Sequence, residues 1–140
     1  MALLVVAEDD CDIREVLLRL FRRDGHTVVE AENGETALRE VLARPDVEAV
    51  VTDIDMPVMS GLELCRCIRA DKDRARLPVI LVSGSLMPGD RRPRQVEATA
   101  LLSKPFRPAE LLGCLRHALE AGHETGQEPC VCGHDTCDHP

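Results

Sequence analysis

The apolar segments of this chain predict an α/β domain built on a doubly wound, five-stranded parallel sheet with five helices. Two observations carry that expectation. Short apolar runs, mostly rich in β-branched residues, alternate with stretches whose apolar residues recur at helical spacing. Within the runs the hydrophobicity is continuous, which suits strands covered on both faces.

The strands are read at Leu3 to Ala7, Thr27 to Glu30, Val47 to Thr52, Pro78 to Val82 and Ala100 to Ser103. After the first, Ile13, Val16, Leu17 and Leu20 make one helical stripe, with Arg14, Arg19, Arg22 and Arg23 off it. Ala37, Leu38, Val41 and Leu42 make the next, behind Asn33 as N-cap. Leu62, Cys65 and Ile68 follow a capping Ser60. The fourth crossover, Gly84 to Thr99, holds Pro88, Gly89 and Pro93, so its helix should be short and begin near Pro93 or Arg94. Leu111, Leu112, Leu115, Ala118 and Leu119 form the last stripe, with Pro108 in its first turn and Gly122 past its end. Short connections give a flavodoxin-like topology, strand order 2-1-3-4-5. The periodicity stops at Gly122. The division is therefore a domain over 1–121 and a Cys/His-rich tail over 122–140, flexible or metal-binding.

A chain of 140 residues buries roughly two-thirds of its unfolded surface, enough for one core. Its net charge is −8, and two phenylalanines, Phe21 and Phe106, are its only aromatics. An acidic chain with few stacking platforms is a poor partner for nucleic acid, so none is expected. No apolar run is long enough to span a bilayer, and Leu3 to Ala7 lacks the basic lead of a signal peptide, so a cytoplasmic location is expected.

In a doubly wound sheet, ligands sit beyond the carboxyl ends of the strands. Glu8, Asp9 and Asp10 follow the first strand, Asp53 and Asp55 the third, Ser83 the fourth and Lys104 the fifth. Gathered carboxylates need a cation, and oxygen donors of this kind suit Mg²⁺. One carboxylate could then attack a phosphoryl group while the ion, Lys104 and the Ser83 hydroxyl meet its oxygens.

The segments Val6 to Arg14, Thr52-Asp53-Ile54-Asp55-Met56-Pro57 through Gly61, Val82-Ser83-Gly84 and Ser103-Lys104-Pro105-Phe106 resemble receiver domains of two-component response regulators. The match, over about residues 2 to 121, is of the stand-alone, chemotaxis-regulator kind. The resemblance implies that Asp53 is the phosphoacceptor. It implies Asp9 as a direct metal ligand, Glu8 as a partner acting through water, and Asp55 as donor of a backbone carbonyl. Ser83 and Lys104 would bind phosphoryl oxygens, and the Lys104–Pro105 peptide would be cis. The implied partners are a sensor histidine kinase or histidine phosphotransfer protein upstream and a protein target downstream. A homodimer is left open, and no membrane partner is expected. No separate enzymatic output is expected, the tail over 122–140 being too short for one.

Leu101 departs from the pattern. It stands three residues before the lysine, where the family usually carries an aromatic switch residue, so a graded response is expected. In the tail, Cys130, Cys132, His134, Cys137 and His139 place five soft donors within ten residues, a set that could hold Zn²⁺. Two other readings compete with phosphoryl acceptance. One is a receiver-like interaction module that is never phosphorylated. The more remote one is an aspartyl-phosphate-forming phosphatase, with Asp55 as its acid.

Overall fold

The computed structural model describes residues 2–84, 89–123 and 129–132. Strand β1 (Leu3–Ala7) leads into α1 (Cys11–Arg23), β2 (Thr27–Ala31), α2 (Gly34–Ala43), β3 (Ala49–Asp53) and α3 (Gly61–Ala70). Then come β4 (Val79–Ser83), α4 (Arg92–Gln95), β5 (Ala100–Ser103), α5 (Pro108–Ala121) and β6 (Cys130–Cys132). The first five strands pair in parallel in the order 2-1-3-4-5, as the flavodoxin-like reading requires, and β6 adds itself in parallel beyond β5. β6 was not foreseen. It takes α5 as its crossover, so part of the Cys/His-rich segment extends the sheet by one βαβ unit. Of the tail donors, Cys130 and Cys132 bound this strand, while His134, Cys137 and His139 lie outside the described residues.

The continuous apolar runs are explained by two cores. Leu4, Val6, Val51, Ile80, Val82 and Leu102 meet α1 and α5 on one face, around Phe21 and Leu115. Val5, Val50, Val79 and Leu81 meet α2 and α3 on the other, around Leu64 and Ile68. Each buried side chain of this size contributes about 1.5–3 kcal/mol, so alternate residues of each central strand stabilise opposite layers.

The helix ends follow their local chemistry. Asn33 Oδ1 accepts from the Thr36 N–H at 2.8 Å, and Ser60 Oγ from the Glu63 N–H at 3.2 Å. α5 starts on Pro108 and stops at Gly122, whose φ of 69° favours a residue without Cβ. α4 is four residues long. After it Glu97 sits at φ 54°, and its carbonyl accepts from Arg69 Nε at 2.9 Å. That guanidinium is half-buried and also donates to the carbonyls of Leu77 and Ala75 and to Thr99 Oγ1, closing the amino-terminal ends of β4 and β5. Among the described residues no helix is long and apolar enough to cross a membrane.

Candidate functional site

At the opposite, carboxyl-terminal ends of the strands, β1, β3, β4 and β5 bring the sequence candidates together. Glu8, Asp9 and Asp53 each direct a carboxylate oxygen inward, and these atoms all lie within 4.8 Å of one another. Glu8 is 1% exposed. Its backbone is fixed on both sides: the N–H donates to the Ala31 carbonyl, and the carbonyl accepts from Arg14 Nη1 at 2.8 Å. Asp53 ends β3, and its Oδ1 accepts from the Ile54 N–H at 2.8 Å, which leaves Oδ2 facing the pocket.

Lys104 supplies the positive charge. Its Nζ donates to Glu8 Oε1 at 2.9 Å and stands 3.7 Å from Asp53 Oδ2. Burial pulls the lysine pKa down, but the Glu8 hydrogen bond and the Asp53 and Glu8 charges outweigh it and hold the group above its ordinary value. Asp9, at the rim, is shifted up as well, first by desolvation and then by the hydrogen bond and charge of Glu8. Loss of water and the neighbouring Glu8 carboxylate both disfavour the ionised form. The trio can hold a hard cation through oxygen, and Mg²⁺ takes one or two such carboxylates directly.

Ser83 ends β4 and is buried. Its carbonyl accepts from the Lys104 N–H at 2.9 Å, so the carrier strands of the hydroxyl and the ammonium are joined just below both side chains. The Lys104–Pro105 peptide is cis, as the resemblance implies. Asp55 lies on the loop after β3, exposed, with its side chain outside the carboxylate trio. Leu101 is half-buried on β5, against the α2/α3 core and opposite Leu81 in the ladder.

Three site contributions escaped the sequence reading. Asp10 follows the acidic pair and is not expected to be a ligand, but the sequence assigns it no role: it is the N-cap of α1, its Oδ1 accepting from the N–H groups of Asp12 and Ile13. An acid one residue before a helical stripe is the signal that identifies it. Arg14, read only as lying off the stripe, secures the Glu8 carbonyl. Gly61 starts α3 directly over the Asp53–Ile54 backbone, donating its N–H to the Ile54 carbonyl at 2.9 Å, and an added Cβ would collide with the Asp53 carbonyl oxygen.

Residues 4–116 match the family model of the response regulator receiver domain. The chain is 34% identical over 110 residues to the two-component response regulator ORR7 of Oryza sativa subsp. japonica, covering 76% of this chain and 52% of that protein. It is 37% identical over 81 residues to a chemotaxis protein CheY homolog of Campylobacter jejuni, covering 57% of this chain and 62% of the relative. The chain thus spans roughly half to three-fifths of these curated relatives. Among solved structures, it superposes on the receiver domain of the sensor histidine kinase PA1611 of Pseudomonas aeruginosa PAO1 with a TM-score of 0.79 and 28% identity. That match covers 85% of this chain and 98% of the other, whose crystal structure has a magnesium ion coordinated in its active-site cleft. The chain belongs to the response regulator receiver domain family of two-component signalling.

Proposed function

We propose that this domain accepts a phosphoryl group on Asp53 from a histidine kinase or histidine phosphotransfer protein and signals by protein contact. The observation that carries the reading is the carboxylate trio of Glu8, Asp9 and Asp53 with the Lys104 ammonium against Glu8 and near Asp53. An Asp53 carboxylate oxygen attacks phosphorus, the P–O bond forms as the donor's P–N bond breaks, and the electron pair leaves on the imidazole nitrogen. Lys104 lies within reach of the Asp53 oxygen and is positioned to neutralise charge on the transferred group. Ser83, at the adjacent strand end, is placed to donate a hydrogen bond to it. Glu8 and Asp9, with Asp53 and the backbone carbonyl of Asp55, would hold Mg²⁺, which supplies further charge neutralisation at the phosphoryl oxygens. This reading favours a cytoplasmic location, where such donors act.

A fold-only module can use the Glu8–Lys104 pair structurally, but it gains nothing from crowding the Asp9 and Asp53 carboxylates beside it. The phosphatase reading needs Asp55 as an acid, and its side chain stands outside the trio. The test is incubation with acetyl phosphate and Mg²⁺ followed by intact-mass measurement. One phosphoryl mass should appear on the parent and none on Asp53→Asn. Labelling of both at the same rate would refute Asp53 as acceptor.

A further inference from the structure

The four arginines of α1 all lie off its apolar stripe, yet two of them behave differently. Arg19 is exposed and pairs with Glu15 one turn earlier on its own helix. The Arg14 side chain is 16% exposed and reaches out of the helix with both ends of its guanidinium. Nη1 donates to the Glu8 carbonyl at 2.8 Å, and Nε stands 3.5 Å from the Glu30 carboxylate of β2. Val6 pairs with Glu30 and Ala7 with Ala31, so the guanidinium ties α1 across the end of β1 to the edge strand. The Glu30 side chain is half-exposed, and an ion pair of that kind contributes little. The carbonyl is the stronger partner, because a charged donor makes such a bond shorter and tighter.

That carbonyl belongs to the peptide joining Glu8 to Asp9, and the carboxylates of both residues face the trio. On the strand side, the Glu8 N–H donates to the Ala31 carbonyl at 3.0 Å. On the helix side, the Asp10 carboxylate caps α1. The Glu8–Asp9 peptide is the plane between these two anchors, and Arg14 holds its oxygen. A turn of this single plane would swing both carboxylates relative to Asp53, which is carried separately by β3.

We propose that Arg14 is a positioning residue for the metal site: its hydrogen bond to the Glu8 carbonyl sets the peptide plane that aims Glu8 and Asp9 at one cation. Arg14 itself touches neither the ion nor the phosphoryl group. The inference rests on the reading of the trio as a Mg²⁺ site and adds a determinant of its affinity that lies outside the pocket. Position and charge predict opposite results. An arginine that acted only as a nearby positive charge would repel a dication, so its removal would tighten binding. An arginine that orients the ligands costs affinity when it is removed, typically tenfold or more for groups that hold metal ligands in place.

The test is calorimetric titration of Mg²⁺ into the full chain, parent against Arg14→Met, which removes donor and charge but keeps an unbranched stem. The Kd of Arg14→Met should be at least about tenfold weaker than that of the parent. Arg14→Lys, which keeps the charge and one donor, should recover part of the loss. Thermal unfolding in chelator, run on all three proteins, separates a change in affinity from a change in fold. A folded Arg14→Met that binds Mg²⁺ as tightly as the parent, or more tightly, overturns the inference and leaves the metal site standing. A parent that binds no Mg²⁺ overturns the metal reading and the inference together. Should Arg14→Met not fold, arginine side-chain NMR on the unmodified chain decides. Guanidinium hydrogens of Arg14 that exchange far more slowly than those of exposed Arg19 support the clamp, and equal rates overturn it.

Discussion

Replacing Asp9 by Asn separates two effects of the same carboxylate. In the metal-free domain, Asp9 faces the Glu8 and Asp53 carboxylates with oxygens within 4.8 Å. At that distance the repulsion is about 0.9 kcal/mol per pair in a water-like dielectric, the right regime for an exposed rim residue. Two such pairs, reduced by salt and by the nearby Lys104 ammonium, leave a penalty of about 1 kcal/mol. The sign follows from the raised Asp9 pKa. Stability is full below the ordinary aspartate value and is lost as pH rises through the raised value, so at neutral pH the whole penalty is present. Without metal, Asp9→Asn should therefore unfold no earlier than the parent, and a few degrees later if the full penalty is relieved. With Mg²⁺ the order reverses. A ligand at a hundred times its Kd stabilises the parent by about 2.7 kcal/mol, whereas the variant, lacking a charged ligand, should gain much less. Thermal unfolding of both proteins, with Mg²⁺ and with a chelator, gives the four midpoints. The reasoning fails if Asp9→Asn melts well below the parent in chelator, or if both gain equally from Mg²⁺.

Lys104→Met leaves the buried Glu8 carboxylate without its ammonium and should cost about 2–3 kcal/mol in denaturant unfolding at neutral pH, below a wholly buried pair because Lys104 is 24% exposed. Because the lysine pKa is raised, the parent's advantage should hold below the ordinary lysine value and fade as pH climbs through the raised one. Gly61→Ala forces a Cβ onto the Asp53 carbonyl and to 3.1 Å from the Ile54 Cα. It should cost about 1–3 kcal/mol and slow acetyl phosphate labelling, since the backbone that must yield carries the acceptor. His123 is pushed down to about 4, first by burial and then by the Arg69 charge, so it contributes stability above its ordinary value of 6.5 that is lost as pH falls toward 4. Equilibrium unfolding of His123→Gln should show a flatter pH dependence across that window, and an unchanged profile would remove His123 from the acid response.

The strands and the pocket were legible because each rested on a repeated local signal. Apolar runs marked the first five strands, and acids, a hydroxyl and a lysine recurred where four of those runs ended. The boundaries needed the structure: Asp53 and Ser83 are the last residues of β3 and β4 rather than the first of their loops. Asp10 was set apart from the ligand pair, but its capping role was hidden because it stands among acids that read first as pocket chemistry. Arg69 was illegible because its partners are mostly carbonyls, which no side-chain pattern announces. β6 was missed for a related reason. Three residues are too few to show a period, and their cysteines pointed to metal chemistry rather than to a ladder.

The hydrogen bond from the Lys104 N–H to the Ser83 carbonyl couples the two side chains as arms of one lever. β4 and β5 are parallel and in register up to Ser83 and Ser103, so the joint lies one residue past the last rung. A pull on the Ser83 hydroxyl that displaced its backbone carbonyl would bear on the base of the lysine, and the converse holds for the lysine. Two groups with separate mountings would have independent degrees of freedom. Mounted on this joint, they share a displacement whose size is set by how far β5 can follow.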